Sequence, residues 1–396
     1  MDRRTLPLLP DDPSAVPPTG RTLPVLPVLD AQADIEYREI AARSVLNPPA
    51  ATGIGCWSLN PYVGCAFGCA YCYARYAHRY AMERAGAGGV DAERAERAHA
   101  APLPPWLAFE RRVLVKREAP ALLRRALAGG AARYEPLLAG REALVIGTAT
   151  DPYQPAERRF RLTRAVLEAL AEHAGLRVVL ITKSALVARD ADVLARVARR
   201  SRLSVHVSLV TLDRALARRI EPRAPTPEAR LRAVARLADA GVEVGINVMP
   251  VLPGITDRPE ELDALLARAA AAGARDAGAS ALRLQPAARD RYLPWLAAEF
   301  PALAARYRAT YARGPHAGAR YREGLARWFA RACARHGLVP RTYGEDRRER
   351  GAPVEQRAGG GAVTRPMLRA VVPMIADGAA TAAGDGRVPA QLDLAL

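Results

Sequence analysis

The feature that most constrains this chain is an alternation of short apolar runs with helix-patterned stretches. The runs are RVLVK (112–116), ALVIGT (143–148), RVVLITK (177–183), LSVHVSLV (203–210), VEVGINVMPVLPG (242–254) and SALRLQP (280–286). Between them, residues 156–175, 190–200, 226–241 and 258–273 place apolar side chains at helical spacing. In 226–241, Thr226 is the expected N-cap, Pro227 the first helical residue and Gly241 the stop. Strand–helix alternation of this kind predicts a parallel sheet. Strands apolar along their whole length are covered on both faces or line a barrel. The expected fold is α/β, a partial (β/α)6 TIM-like barrel of about six units after residue 75, with RVLVK as a possible edge element. Three regions follow: a Pro-rich, disordered tail over 1–34, a catalytic domain over 35–345, and a Gly/Ala-rich flexible tail over 346–396.

The chain holds five cysteines, and three of them, Cys65, Cys69 and Cys72, fall within NPYVGCAFGCAYCYAR (60–75). The loop is bent by Gly64 and Gly68. Three thiolates on one such loop can converge on zinc or an iron–sulfur cluster. A closed zinc site needs a fourth ligand, for which Cys56 and His78 are the candidates. A cubane held by three cysteines leaves one iron open instead. Five cysteines of this arrangement do not form a secreted disulfide framework, and a reducing cytoplasm is expected. No run of about 18 apolar residues is present to span a membrane, and the N-terminus lacks the apolar stretch of a signal peptide.

The spacing Cys65-x3-Cys69-x2-Cys72, with an aromatic residue before the last cysteine, resembles the signature of the radical S-adenosylmethionine (SAM) enzymes. The fuller string WSLNPYVGCAFGCAYCYAR (57–75) resembles the branch containing spore photoproduct lyase, over roughly residues 42–341. The resemblance implies a [4Fe–4S] cluster on Cys65, Cys69 and Cys72 with SAM on the open iron. It also implies reductive cleavage of SAM to a deoxyadenosyl radical that abstracts hydrogen from substrate. A one-electron donor such as a flavodoxin or ferredoxin is the implied partner.

The same resemblance assigns further positions. Thr148, Thr150 and Asp151, in GTATDPYQPAE (147–157), become candidates for the methionine amino group, although Asp-Pro is also a turn dipeptide. Lys183 suits the SAM carboxylate, and Ser208 the ribose or carboxylate. Glu221 and Arg223 resemble a loop clamp at the barrel mouth, or a surface ion pair. Asn247 is placed to face the cavity. Tyr71 and Tyr73 flank the last cysteine and are candidates for the radical path or for shielding the cluster. Tyr62 is read as packing, Cys333 as a core thiol and His206 as a satisfied buried histidine. The branch quenches its product radical with a cysteine between the cluster and the SAM-binding strands. No cysteine stands between Cys72 and Cys333 here, so that route of photolesion reversal is not expected.

Charge bears on the substrate. Of 58 basic residues only Lys116 and Lys183 are lysines, and the net charge is +17. Residues 1–34 net −2 and residues 346–396 net +1, which leaves +18 on the middle of the chain. A domain this basic attracts phosphates, and DNA is the expected partner. The terminal QLDLAL (Gln391–Leu396) resembles the short segment by which bacterial repair and replication proteins dock on the sliding clamp. The expected function is radical SAM chemistry on nucleic acid. The alternatives are the same chemistry on a peptide, tRNA or metabolite, and a non-catalytic zinc- or cluster-stabilised DNA-binding protein.

Overall fold

The computed structural model describes residues 28–32, 34–52, 55–75, 77 and 103–341. His78 and Gln391–Leu396 lie outside the described residues, as do the whole of 346–396 and the first 27 residues.

Twelve strands run in chain order: β1 (Val28–Gln32), β2 (Ile35–Glu39), β3 (Leu46–Asn47), β4 (Trp57–Leu59), β5 (Tyr62–Val63), β6 (Arg112–Val115), β7 (Leu144–Ile146), β8 (Arg177–Thr182), β9 (Arg202–Ser208), β10 (Glu243–Val251), β11 (Asp276–Ala281) and β12 (Val339–Arg341). Eight of them form the main sheet in the order β12-β11-β10-β9-β8-β7-β4-β3. Every neighbouring pair in it is parallel except β3–β4. The α/β class and the parallel sheet are as the alternation predicts. Among the described residues the sheet has two edges, β3 and β12, and does not close.

Three expectations are corrected. RVLVK becomes β6, which lies outside the main sheet and pairs with β2 and β5 in a four-stranded sheet. The first parallel strand is instead β4, three residues long and immediately before the cysteine loop, too short to carry a periodic signal. The last run is displaced: β11 begins at Asp276, and Pro286 opens a helix. Part of the region assigned to the N-terminal tail is a strand, since β1 pairs antiparallel with β2 there.

Strand β8 explains the continuous apolar runs. Val178 and Leu180 pack in the principal core, while Val179 and the half-buried Ile181 pack on the opposite face with Cys56 and Val145. Side chains alternate across a strand, so both faces are occupied. On β9 the alternation separates chemistry as well. Val205 and Val207 enter the core, whereas His206 and Ser208 line a cavity on the inner face.

The helix expected over 156–175 is two helices, Ala156–Phe160 and Leu162–Ala171. Arg161 separates them in the left-handed region at φ 50°. The cause is local: the Glu157 carboxylate accepts from the backbone N–H of Thr163 at 2.9 Å and of Arg164 at 3.2 Å, capping the second helix from within the first. The helix Pro227–Asp239 starts as expected, with Thr226 Oγ1 accepting from the Ala229 N–H at 3.3 Å. A long helix, Ala319–Arg335, buries Tyr321, Leu325, Trp328, Phe329 and Ala332 and packs on β11 and β12. Cys333 is fully buried on it, as expected of a core thiol.

Candidate functional site

The cysteine loop follows β4 and turns twice through left-handed glycines, Gly64 at φ +84° and Gly68 at φ +66°. Both positions also demand the missing side chain. A Cβ on Gly64 would stand 2.7 Å from the Phe109 carbonyl oxygen, and one on Gly68 would stand 2.6 Å from Arg223 Nη2. The loop therefore sits directly on the helix Pro105–Arg111 and on the arginine beneath it.

Its backbone is pinned almost residue by residue. The Gly64 carbonyl accepts from Thr150 Oγ1 at 2.5 Å and from Gln154 Nε2 at 2.9 Å. The Ala66 N–H donates to Gln154 Oε1 at 2.9 Å, and the Cys65 N–H to the Phe109 carbonyl at 2.8 Å. The Ala70 N–H donates to Ile220 O at 2.9 Å, and Arg75 Nη2 to the Cys69 carbonyl at 2.7 Å. Arg223 donates from Nε to the Ala66 carbonyl and from its backbone N–H to Phe67 O at 3.3 Å.

Beneath the loop, Glu110 faces three guanidinium groups: Arg75 at 2.5 Å, Arg223 at 3.1 Å and Arg291 at 3.4 Å. Burial alone would raise its carboxyl, but these cations hold it below the usual carboxylate range. Glu221 is a second such anchor. Its carboxylate accepts from the Tyr71 hydroxyl and pairs with Arg230, both partners being buried. Burial again works against the charged form, and Arg230 with Lys183 overcomes it. Glu221 and Arg223 are thus placed behind the loop and not on the cavity wall, and the clamp they form is on the loop itself.

The three thiols line a cavity of about 420 Å³. Burial pushes Cys65 up to about 12, with Asp151 and Cys72 adding to it. Burial raises Cys69 and Cys72 as well, and the three thiolates repel one another. Such a set holds its negative charge only when a cationic centre binds it, as soft thiolates bind iron. Among the described residues no three His, Cys, Asp or Glu side chains close around a single ion. A four-iron cube gives each thiolate its own iron and asks for wider spacing. Cys56 lines the same cavity but on the inner face of the sheet, packed with Val145 and Val179.

The remaining candidates fall around this cavity. Thr148, Thr150, Asp151, Lys183, Ser208, Asn247, Tyr71 and Tyr73 all line it. Their present contacts differ. Thr148 Oγ1 accepts from Asn60 Nδ2 at 3.0 Å. Thr150 is engaged with Gly64 and Gln154. Asp151 caps its own turn, accepting from the Tyr153 N–H at 2.9 Å, Thr182 Oγ1 at 2.6 Å and the Lys183 N–H at 2.7 Å. Asn247 Oδ1 accepts from Arg341 Nη2 at 2.8 Å. Tyr73, 36% exposed, donates to the Thr148 carbonyl. Tyr71 is buried under Lys183, whose Nζ stands 5.5 Å from the ring centroid. Among the described residues that ammonium makes no hydrogen bond or ion pair. Burial disfavours its charge, yet Cys69, Glu221 and Asp151 raise it above the ordinary lysine value.

Several contributors left little trace in the sequence. Gln154 and Arg75 stand inside the quoted strings, but nothing in their spacing marks them. Glu110, Arg230 and Arg291 come from helices far along the chain. Lys116 donates to the Asn60 carbonyl at 3.0 Å and Tyr62 to Glu157 at 2.5 Å, both structural roles.

The chain is 36% identical to an uncharacterized protein of Mycobacterium tuberculosis over 334 residues, 84% of this chain and 90% of that one. It is 27% identical to an uncharacterized protein of Methanocaldococcus jannaschii, over 56% of this chain and 70% of that one. Among solved structures, a spore photoproduct lyase mutant with bound AdoMet and dinucleoside spore photoproduct is similar at a TM-score of 0.47 and 14% identity, over 77% of this chain and 81% of that one. The family model of the Radical SAM superfamily matches residues 59–266, from the end of β4 through the cysteine loop to the helix after β10. More than half of the chain is covered by that match, and the chain belongs to the radical SAM superfamily, whose cofactors are a [4Fe–4S] cluster and SAM.

Proposed function

We propose that this enzyme abstracts hydrogen from a nucleic acid, in a repair- or modification-type reaction of the lyase-like branch that the cysteine string resembles. The observation that carries the reading is one cavity lined by the three cysteines and by Arg141, Arg177, Arg283, Arg322 and Arg341. The cluster and SAM, when bound, supply a one-electron cleavage and a hydrogen-abstracting group. Cys65, Cys69 and Cys72 would hold the cluster. Lys183 would take the SAM carboxylate as a point charge, with Ser208 and Asn247 offering polar contacts further along the wall. Thr148, Thr150 and Asp151 shape the turn against which the methionine end would rest. Tyr71 and Tyr73 close the loop side and keep water from the reacting atoms. The electron would come from a flavodoxin- or ferredoxin-type donor.

The test is anaerobic. The enzyme, reconstituted with iron and sulfide and reduced, is given SAM with irradiated DNA, intact DNA or no DNA. Irradiated or intact DNA should raise 5′-deoxyadenosine release, and deuterium from labelled DNA should appear in that product. If DNA leaves both unchanged while a peptide or small metabolite moves them, the nucleic-acid reading fails and the superfamily chemistry stands.

A further inference from the structure

Two buried charged residues, Glu221 and Arg230, touch the cavity only through other groups. Glu221 is the C-cap of the helix Arg214–Ile220, and Arg230 lies near the start of the helix Pro227–Asp239. Their side chains are 0% and 1% exposed, and neither residue lines the cavity. An ion pair this deep is a weak source of stability, because both charges lose their hydration on burial. What distinguishes this pair is where its remaining bonds go.

On one side the pair holds the cysteine loop. One Glu221 carboxylate oxygen accepts from the hydroxyl of Tyr71, which stands between Cys69 and Cys72. The neighbouring backbone makes the same connection, since the Ile220 carbonyl accepts from the Ala70 N–H at 2.9 Å. On the other side the pair holds the end of β9. The second Glu221 oxygen accepts from Arg230 Nη2, and Arg230 Nη1 donates to the Ser208 carbonyl at 3.0 Å. Arg230 Nε donates to the Pro225 carbonyl at 2.9 Å, so every nitrogen of the planar guanidinium is used. Ser208 is the last residue of β9, and the next N–H, of Leu209, donates to the Asn247 carbonyl of β10 at 2.9 Å.

The chain of bonds Tyr71–Glu221–Arg230–Ser208 therefore joins the loop that carries the thiols to a strand end that lines the same cavity. A third lining group depends on it: the Lys183 ammonium lies over the Tyr71 ring, a cation–π contact that follows wherever the ring is held.

We infer that Glu221 and Arg230 are positioning residues, which hold the cysteine loop and the end of β9 at one spacing so that the cluster-bound and the strand-bound parts of SAM meet their partners together. A ligand gripped at two places binds better when their spacing is fixed in advance, since no binding free energy is lost in bringing them together. The inference rests on the reading of Lys183 and Ser208 as SAM contacts, and not on the identity of the substrate.

The experiment uses the full chain, reconstituted anaerobically with iron and sulfide. Two quantities are read: iron and sulfide per chain, and the SAM concentration that changes the electron paramagnetic resonance spectrum of the reduced cluster. Arg230→Lys keeps a charge opposite Glu221 but cannot serve three acceptors from one plane. Its iron content should match the wild type, and its SAM affinity should fall about tenfold. Glu221→Leu/Arg230→Met removes both charges together, so that neither is left buried alone. That variant should keep a urea midpoint close to the wild type while weakening SAM to the same extent. Tyr71→Phe breaks the chain of bonds at its other end. Combined with Arg230→Lys, it should weaken SAM no further than the stronger of the two does alone. A loss equal to the product of the two single effects would show that they act separately, and overturns the inference. So does wild-type SAM affinity in Arg230→Lys at full iron content. Loss of iron from Arg230→Lys would confine the pair to holding the loop, and overturns the link to β9. Lys183→Met tests the contact reading by itself. If it leaves SAM affinity unchanged while the pair variants lose it, the positioning role stands and Lys183 is not the carboxylate partner.

Discussion

The two ends of the cavity are built on opposite principles. At the cysteine end the loop backbone and the carboxylates beneath it are bonded to other parts of the protein, down to Gln154 using both ends of its amide on Gly64 and Ala66. Toward the starts of the strands the cavity is lined instead by Arg177 and Arg141, and Arg141 and Gly55 there are exposed. A fully bonded loop holds a fixed cofactor in one geometry without reorganisation. An end whose lining reaches solvent is open to a ligand that arrives and leaves. The same sheet supports both because side-chain alternation lets each strand show core residues to the helices and polar ones to the cavity.

The sharpest break of this contrast is in the thiols. Cys65→Ala, Cys69→Ala and Cys72→Ala should each abolish the cluster, read as iron and sulfide per chain after anaerobic reconstitution, whereas Cys56→Ala should keep it. Loss of the cluster in Cys56→Ala would extend the cofactor end into the far half and erase the division.

Glu110→Gln comes next. It leaves Arg75, Arg223 and Arg291 facing a neutral amide in a buried setting, and should cost about 3–5 kcal/mol in urea denaturation. The pH dependence checks the cause. Because the Glu110 carboxyl is held low in the folded protein, its stabilisation is complete above the unfolded value of about 4.3. It is lost as pH falls through the lower folded value. The variant should therefore be less sensitive to acid below that point, and an unchanged acid limb would show that the three cations do not act through Glu110.

Gln154→Leu removes two bonds to the loop at nearly constant volume and leaves the buried Ala66 N–H unmet, while Thr150 still serves the Gly64 carbonyl, at about 1–3 kcal/mol. Gly245→Ala is its counterpart away from the loop, and overpacking against Asp276 should cost about 1–3 kcal/mol. The two should separate by readout: the first slows cluster uptake and the second does not. Equal slowing by both would mean that the two regions are not independent. Thr226→Ala, remote from either, should cost about 1 kcal/mol through loss of its cap and leave cluster uptake alone.

Residue order alone determined the α/β class, the strands β7 to β10, the capped helix Pro227–Asp239 and the three cysteines, because each rests on short-range spacing that one segment carries complete. The resemblance carried by the cysteine string added Thr148, Thr150, Asp151, Lys183, Ser208 and Asn247, all of which line the cavity. Strand β4 was not legible, since three residues hold no period. Neither was the displacement of β6 into a separate sheet, since pairing depends on partners far along the chain. Only the tertiary structure put Glu221 and Arg223 behind the loop, gathered three arginines onto Glu110 and brought His206 to the cavity wall. Those facts concern which groups meet across 35 to 181 residues of chain, and burial and hydrogen-bond satisfaction are properties of that meeting.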